Sequence, residues 1–183
     1  MPELIDPTVR LRTSFLAAVA EFHELGHPVP WFVTDVDPAA LTDPTAFAGY
    51  VARVLAERTE AGMRPDAAVP MTTLWWAEGD RLLGRIAIRR RLTPRLRRVG
   101  GHIGYDVRPG ARRRGHATAM LAAALPVAAA LGITEVLLTC DESNTASRLV
   151  IEANGGRLVG VEEGRLRYLA PTPAQLPEIR KTG

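Results

Sequence analysis

The chain has a single cysteine, Cys140, among its 183 residues. An intramolecular disulfide and a multi-cysteine zinc site are therefore excluded, and the scarcity fits a reducing compartment. Long apolar runs are also missing. The longest, residues 117–133, is mostly alanine, contains Pro126 and falls short of the ~20 residues that a bilayer-spanning helix needs. The opening Met1-Pro2-Glu3-Leu4 lacks the basic-then-apolar pattern of a secretory signal. Together these deficits predict a cytoplasmic protein that does not engage membranes. Aromatic residues make up only 5% of the chain. Neither a Gly-Lys-Ser/Thr phosphate loop nor a GxGxxG dinucleotide fingerprint occurs.

What is present is an ordinary globular composition, 46% hydrophobic and 23% charged. A chain of this length supports one domain with a full core, residues 1–183. The formal net charge is +3, and the basic residues are nearly all arginine and unevenly spread: 11 of the 23 lie between Arg85 and Arg114. Arginine suits bidentate phosphate recognition. A solvated hairpin, a polyanionic cofactor and nucleic acid compete for this cluster. Nucleic acid ranks last, because residues 85–104 hold no aromatic to stack on a base.

Periodicity and punctuation outline the elements. Residues 4–11 suggest a short strand broken by Pro7. Thr13 or Ser14 then caps a helix through Leu25, ended by Gly26, with Phe15, Leu16, Val19 and Phe22 at helical spacing. Residues 27–44 form a proline-rich loop. A second helix begins at Pro44 and runs to about Ala61. Residues 71–78 and 81–92 read as a hairpin around Gly79-Asp80, and residues 97–107 as a third strand. Glycines 100, 101 and 104 in that strand mark a bulge or a close backbone approach. A helix over residues 111–131 contains Pro126, which removes one helical hydrogen bond. Residues 133–140 read as a central strand covered on both faces. A helix over 144–154 buries Ala146, Leu149, Val150 and Ala153, and residues 156–161 and 166–170 are closing strands. The order predicts an α+β fold with a mixed, mostly antiparallel sheet flanked by helices. The strands ending at Val107 and Cys140 form a parallel pair splayed around a crevice, where such sheets bind ligands. Residues 1–70 would be a helical acceptor side, 71–170 the ligand-binding core and 171–183 a frayed tail.

The most informative stretch is residues 104–118, Gly-Tyr-Asp-Val-Arg-Pro-Gly-Ala-Arg-Arg-Arg-Gly-His-Ala-Thr. It joins a strand end to a helix start through Arg112-x-x-Gly115-x-Ala117. Helix-start amides have no partner inside the helix, and small residues let a ligand approach the backbone, so this is a cradle for a pyrophosphate. Neighbouring arginines add charge-assisted hydrogen bonds.

This stretch, with Val107-Arg108-Pro109 leading into Arg112-Arg113-Arg114-Gly115-His116-Ala117, resembles the acyl-CoA loop of the GNAT superfamily of N-acyltransferases. The run from Thr139 through Asn144 to Ser147, closing at Asn154-Gly155-Gly156, is similar to the family's last strand–helix unit. The resemblance spans roughly residues 70–170. It implies an N-acetyltransferase that moves an acetyl group from acetyl-CoA to an amine, with a small molecule expected as the acceptor. Pyrophosphate would lie on the amides of Arg113, Arg114, Gly115, His116, Ala117 and Thr118, with Arg112 and Arg114 steering phosphates and Arg108 nearby. The Val107 amide would polarise the thioester carbonyl. Asn144 would hold the cofactor arm, with Ser147 close to it. For the base that takes the amine proton, His102 is favoured because its ordinary pKa is near neutral, and Asp106 is the alternative. The position at which many members carry a tyrosine acid is Ile151 here. Ser147 reaches that region as a weak acid, Tyr105 and Tyr168 are more distant, and an unassisted thiolate can also leave. That departure keeps open a non-catalytic CoA-binding sensor, and behind it a basic nucleic-acid-binding module. Cys140 is expected in the core rather than as a nucleophile. His23 and His27 have metal-like spacing but flank a helix break, so no metal is assigned. Trp31, Trp75, Trp76, Asp35 and Asp37 are candidates for the acceptor pocket, and a homodimer is left open.

Overall fold

The computed structural model describes residues 1–24, 37–63, 67 and 69–173. Strand β1 (Glu3–Ile5) leads through a 3-10 turn into helix α1 (Arg12–Glu24), and helix α2 (Pro44–Ala56) follows. The hairpin is β2 (Met71–Glu78) and β3 (Arg81–Arg89). Helix α3 (Pro94–Arg98) precedes β4 (Ile103–Val107), and a 3-10 turn (Pro109–Ala111) precedes helix α4 (His116–Ala130). The chain closes with β5 (Glu135–Asp141), α5 (Thr145–Ala153), β6 (Arg157–Glu162) and β7 (Arg165–Pro171).

These elements form two antiparallel sheets, ordered β1-β2-β3-β4 and β5-β7-β6. The β2–β3 turn is the two-residue Gly79-Asp80 loop, with Glu78 opposite Arg81 and Gly79 at φ +55, as the glycine between two strand runs predicts. Helix α2 starts where Asp43 accepts from the Ala46 amide at 2.8 Å and Pro44 takes the first turn.

Several expected boundaries move, each for a local reason. Residues 97–102 are not strand. Thr93 caps a short helix by accepting from Leu96 N at 3.2 Å, with Pro94 in its first turn, so β4 starts only at Ile103. Neither Thr13 nor Ser14 caps α1. Thr8 caps the 3-10 turn that runs straight into the helix, while Ser14 Oγ accepts from Leu82 N at 2.8 Å. The second helix stops at Ala56 rather than Ala61. Helix α4 begins at His116 rather than 111, because Arg113 (φ +62) and Gly115 (φ +79) adopt left-handed conformations. In α5 the buried residue is Ile151, whereas Leu149 is 57% exposed. β5 is covered on both faces, as its apolar run predicts, but it carries a ladder on one side only, to β7. Residues 25–36, including Gly26, His27, Trp31 and Asp35, and the tail from 174 lie outside the described residues.

The first sheet has a core on each face. On one face Leu74, Trp76, Ile86, Ile88 and Ile103 pack against Met120, Leu121 and Ala124 of α4, and the same cluster continues into Val136, Leu138 and Tyr168 of the second sheet. On the other face Trp75, Ala77 and Leu82 pack against Phe15, Val19, Phe47, Tyr50 and Val51 of α1 and α2. Phe15 organises that side, with ring centroids 5.5 Å from Trp75 and 5.4 Å from Phe47.

Between the sheets β4 and β5 share no ladder. They meet near their starts, where His102 N donates to Leu137 O at 2.7 Å and Leu137 N donates back to His102 Nδ1 at 2.8 Å. Gly101 makes this approach: at φ +61, a Cβ there would sit 2.3 Å from Leu137 O. From this junction the strands open toward their carboxyl ends at Val107 and Asp141. Of the bulge or close approach expected from the glycines, Gly101 makes the close approach.

Candidate active site

The pairing of β4 with β3 sets which backbone groups face the crevice. Arg108 N donates to Leu83 O and Arg89 N to His102 O, and Arg85 lies opposite Asp106. Antiparallel pairs alternate between bonded and unbonded. Gly104 and Asp106 therefore spend their backbone groups on β3, while those of Tyr105 and Val107 point away from it, into the gap before β5. The exposed edge expected near Asp106 and Val107 is thus offered by Tyr105 and Val107. Val107 O already accepts from Arg112 Nε at 3.1 Å, which leaves its N–H facing the gap.

Beyond Val107 the chain turns through residues 108–115 into α4. Ala119 N closes the first helical bond, onto Gly115 O at 3.0 Å, so the amides of His116, Ala117 and Thr118 precede the helical ladder and project from its positive end. Opposite them, Asn144 caps α5 by accepting from Ser147 N at 3.0 Å, which leaves its side-chain N–H groups for the crevice. Tyr105 OH donates to Ser147 O at 3.4 Å, and Asn154 Nδ2 donates to Thr118 O at 3.2 Å. The two helix starts are thereby held on either side of an open cavity of about 510 Å³. Tyr105, Asp106, Val107, Arg112, Arg113, Gly115, His116, Ala117, Thr118, Asn144 and Ser147 all line it.

The structure thus brings most of the sequence-derived site residues together, with exceptions. Arg114 is exposed and does not line the cavity. The Arg108 side chain turns to the other face of the sheet. There it makes an ion pair with Glu21 at 2.7 Å and also donates to Ser14 Oγ at 3.3 Å. Glu21 Oε2 accepts as well from Gly110 N at 2.9 Å. The Arg108 hydrogen bond, foremost, and the Gly110 amide hold the Glu21 carboxyl below its ordinary pKa, against partial burial. Arg108 therefore fastens the loop to α1 instead of reaching for phosphate.

His102 is likewise placed away from the cavity lining. Its Nδ1 accepts the Leu137 amide, so the proton of the neutral ring sits on Nε2 and no lone pair is left to take another. Burial, then Arg97 and Arg89, lower its pKa further. Asp106 is different. Desolvation raises its carboxyl to about 6, against the pull of Arg85 and Arg112. It lines the large cavity and also a small cleft of about 20 Å³, walled by Phe15, Ala18, Val19 and Phe22 of α1. Asp106 is the wall between the two spaces. Arg85, buried and opposite it, was not singled out by the sequence. Its place as the polar member of an apolar strand, Leu82-Leu83-Gly84-Arg85-Ile86, was the available signal.

Ile151 is 1% exposed and contributes to the main core. Cys140 is buried there too, and desolvation raises its thiol pKa. Tyr168 OH donates to Glu152 at 3.0 Å in the second sheet. Trp76 faces α4 and donates from Nε1 to His116 Nδ1 at 3.3 Å, whereas Trp75 lines the small cleft. Asp37 caps a turn by accepting from Ala39 N at 3.0 Å. Among the described residues no three His, Cys, Asp or Glu side chains cluster to hold a metal, and no helix is long and apolar enough to cross a membrane.

A splayed strand pair with one free backbone edge, opening onto a phosphate-sized helix start, is the architecture of an acyl-CoA-dependent acetyltransferase. Residues 18–157 match the family model described as an acetyltransferase (GNAT) domain, and the chain belongs to that family. Solved structures of the same fold include RimJ of Mycobacterium smegmatis in complex with CoA-disulfide, 21% identical, covering 93% of this chain and 81% of that one at a TM-score of 0.64. The microcin C7 self-immunity acetyltransferase MccE, in complex with acetyl-CoA and AMP, is 11% identical over 93% of this chain and 92% of its own, with a TM-score of 0.62. RimL, a ribosomal L7/L12 alpha-N-protein acetyltransferase in complex with coenzyme A, is 15% identical over 95% and 96%, with a TM-score of 0.61. Comparison with curated proteins gives no significant match.

Proposed function

We propose that this protein transfers an acetyl group from acetyl-CoA to a primary amine of a small molecule by direct attack, with Asp106 as the base. The observation that carries the reading is the position of Asp106, a half-buried carboxylate that lines both the large cavity and the small cleft. The large cavity has what acetyl-CoA requires. The amides of His116, Ala117 and Thr118 with Arg112 and Arg113 suit its phosphates, and the free edge at Tyr105 and Val107 suits its amide-bearing arm. Asn144 offers a donor from the far side.

An amine entering from the α1 side would meet Asp106 before it meets the thioester. Asp106 takes one proton from the ammonium, directly or through water. The neutral nitrogen attacks the carbonyl carbon, the C–N bond forms and the C–S bond breaks. The Val107 amide donates to the carbonyl oxygen as negative charge builds there. The sulfur leaves as thiolate and takes a proton from solvent or from Ser147; Ile151, in the core, cannot supply one. A pKa of about 6 leaves Asp106 mostly ionised at neutral pH and a better proton acceptor than an exposed carboxylate.

The Ile151 core position favours one second reading, a protein that binds CoA without turnover. Calorimetric titration of acetyl-CoA, paired with release of free thiol in the presence of amines, separates the two. Saturable binding that weakens at least about tenfold in an Arg112→Ala/Arg113→Ala variant supports the cradle. Amine-dependent thiol release then establishes transfer. Binding with no release for any amine would leave the sensor reading, and no binding would remove both.

A further inference from the structure

Tyr105 and Asp106 are consecutive on β4, so their side chains leave opposite faces of the strand. Asp106 stands opposite Arg85 and lines the small cleft against α1. Tyr105 stands opposite Ile86 and packs on the cluster that α4 shares with the second sheet. Under the acetyl-transfer reading the cofactor arm comes from the amides that open α4. It therefore approaches the gap from the Tyr105 face, while the amine approaches from the Asp106 face. The sulfur belongs to the arm, so it departs toward the Tyr105 face.

Of the three tyrosines, Tyr105 is the one that lines the large cavity. Its hydroxyl donates to Ser147 O at 3.4 Å, long against the ~2.7–2.8 Å usual for an O–H···O bond. Ser147 lies in the first turn of α5, where its carbonyl also accepts the helical bond from four residues on. The Tyr105 proton is thus loosely engaged with an acceptor that is already served. Burial, foremost, raises the Tyr105 pKa to about 12. The phenol therefore keeps its proton through the neutral range and remains a donor.

We infer that Tyr105 is a catalytic residue of the leaving step: its hydroxyl exchanges Ser147 O for the sulfur as negative charge gathers there. The inference rests on the acetyl-transfer reading. The C–S bond breaks with its electron pair going to sulfur, the Tyr105 proton stays on oxygen, and the thiolate takes its proton from solvent. A donor of this kind acts on the transition state more than on the bound substrate, because the charge it meets develops only as the bond breaks.

The test reads the thiol of bound CoA rather than turnover alone. Its ionisation is followed by the ultraviolet absorbance of the thiolate in complexes of CoA with the wild-type protein and with Tyr105→Phe, using the desulfo-CoA complexes as blanks. A hydrogen bond to the thiolate should make the bound thiol titrate about one pH unit lower in the wild type than in Tyr105→Phe. In the amine-dependent thiol-release assay, kcat of the variant should fall ~10-fold or more, with the acetyl-CoA Kd within about twofold. A hydroxyl that merely ties β4 to α5 would not move the thiol titration. Equal titrations in the two proteins would overturn the inference even if kcat fell, and would leave the acetyltransferase reading standing. No saturable binding of CoA by the wild-type protein would remove both. Should Tyr105→Phe fail to bind CoA, the wild-type protein isotopically labelled at tyrosine Cζ decides by nuclear magnetic resonance. The Tyr105 signal should then move in step with ionisation of the bound thiol and stay still with desulfo-CoA, and a Tyr105 signal unmoved in both complexes would overturn the inference.

Discussion

The two faces of the four-stranded sheet are built to different ends. The face toward α4 buries Leu74, Ile86 and Ile88 against Met120, Leu121 and Ala124. The face toward α1 and α2 is aromatic and holds Arg85, buried, opposite the half-buried Asp106 at its β4 edge. Burying charge is costly unless it is paired. Desolvation lowers the Arg85 pKa to about 10 and raises the Asp106 pKa to about 6. A fold that needed only stability could have kept both faces like the first. The α4 face sets where β4 lies, and under the proposed mechanism the α1 face supplies the base.

That contrast can be broken from either side. Asp106→Asn is expected to give the largest functional loss, ~100-fold or more in kcat, as for removal of a positioned base, with the acetyl-CoA Kd unchanged by calorimetry. The kcat/KM of the wild-type protein should rise with pH through about 6, where Asp106 ionises, and the variant should lack that step. Stability has the opposite sign. A carboxyl raised in the folded state stabilises fully below its unfolded pKa, and that contribution is lost as pH rises through about 6. Asp106→Asn should therefore flatten the fall in stability between ~4 and about 6 in denaturant titrations. On the other face, Leu121→Ala should cost ~2–5 kcal/mol of stability, with kcat per folded molecule unchanged. Loss of kcat there would merge the two faces into one.

Smaller effects sharpen the junction that joins the sheets. His102→Ala removes the acceptor of the Leu137 amide and should destabilise by ~1–3 kcal/mol. Its kcat should stay within about threefold of wild type, with the same pH profile. A loss of the pH step in this variant rather than in Asp106→Asn would return the base to His102. The smallest effect is expected for Glu21→Gln, which weakens the tie from α1 to Arg108 and the Gly110 amide. Acetyl-CoA affinity should fall a few-fold, and stability by ~1 kcal/mol. Because the Glu21 pKa is lowered in the fold, its contribution is present above the ordinary carboxylate pKa and is lost as pH falls through the lowered value. Titration of the variant should lack that acid-side loss.

The β4–loop–α4 unit was legible because its determinants are local: Pro109, Gly115, the arginine run and an alanine-rich helix lie within thirty residues. The helix start at Asn144 and the Gly79-Asp80 turn were readable on the same ground. What escaped depends on residues far apart in sequence. Arg108 looks like a phosphate ligand until Glu21, 87 positions earlier, is folded against it. His102 looks like a base until Leu137 is brought to its Nδ1 across 35 positions. The stripe expected on α5 failed for a related reason. Leu149 has helical spacing, but it is Ile151 that is buried and Val150 that is half-buried against the core, and periodicity cannot say how much of a helix face is covered. The start of β4 was misplaced because Thr93-Pro94 reads as a turn and serves as a helix cap.

The absent ladder between β4 and β5 has a consequence for exchange with solvent. Along five residues, amides committed to β3 alternate with amides that face the gap. Gly104 and Asp106 should exchange their protons slowly, as members of the sheet, and Tyr105 and Val107 quickly, as though they belonged to a loop. The strand would carry a two-residue rhythm of protection in deuterium exchange. Acetyl-CoA, by supplying the missing strand, should erase it, so that one short segment reports occupancy of the crevice amide by amide.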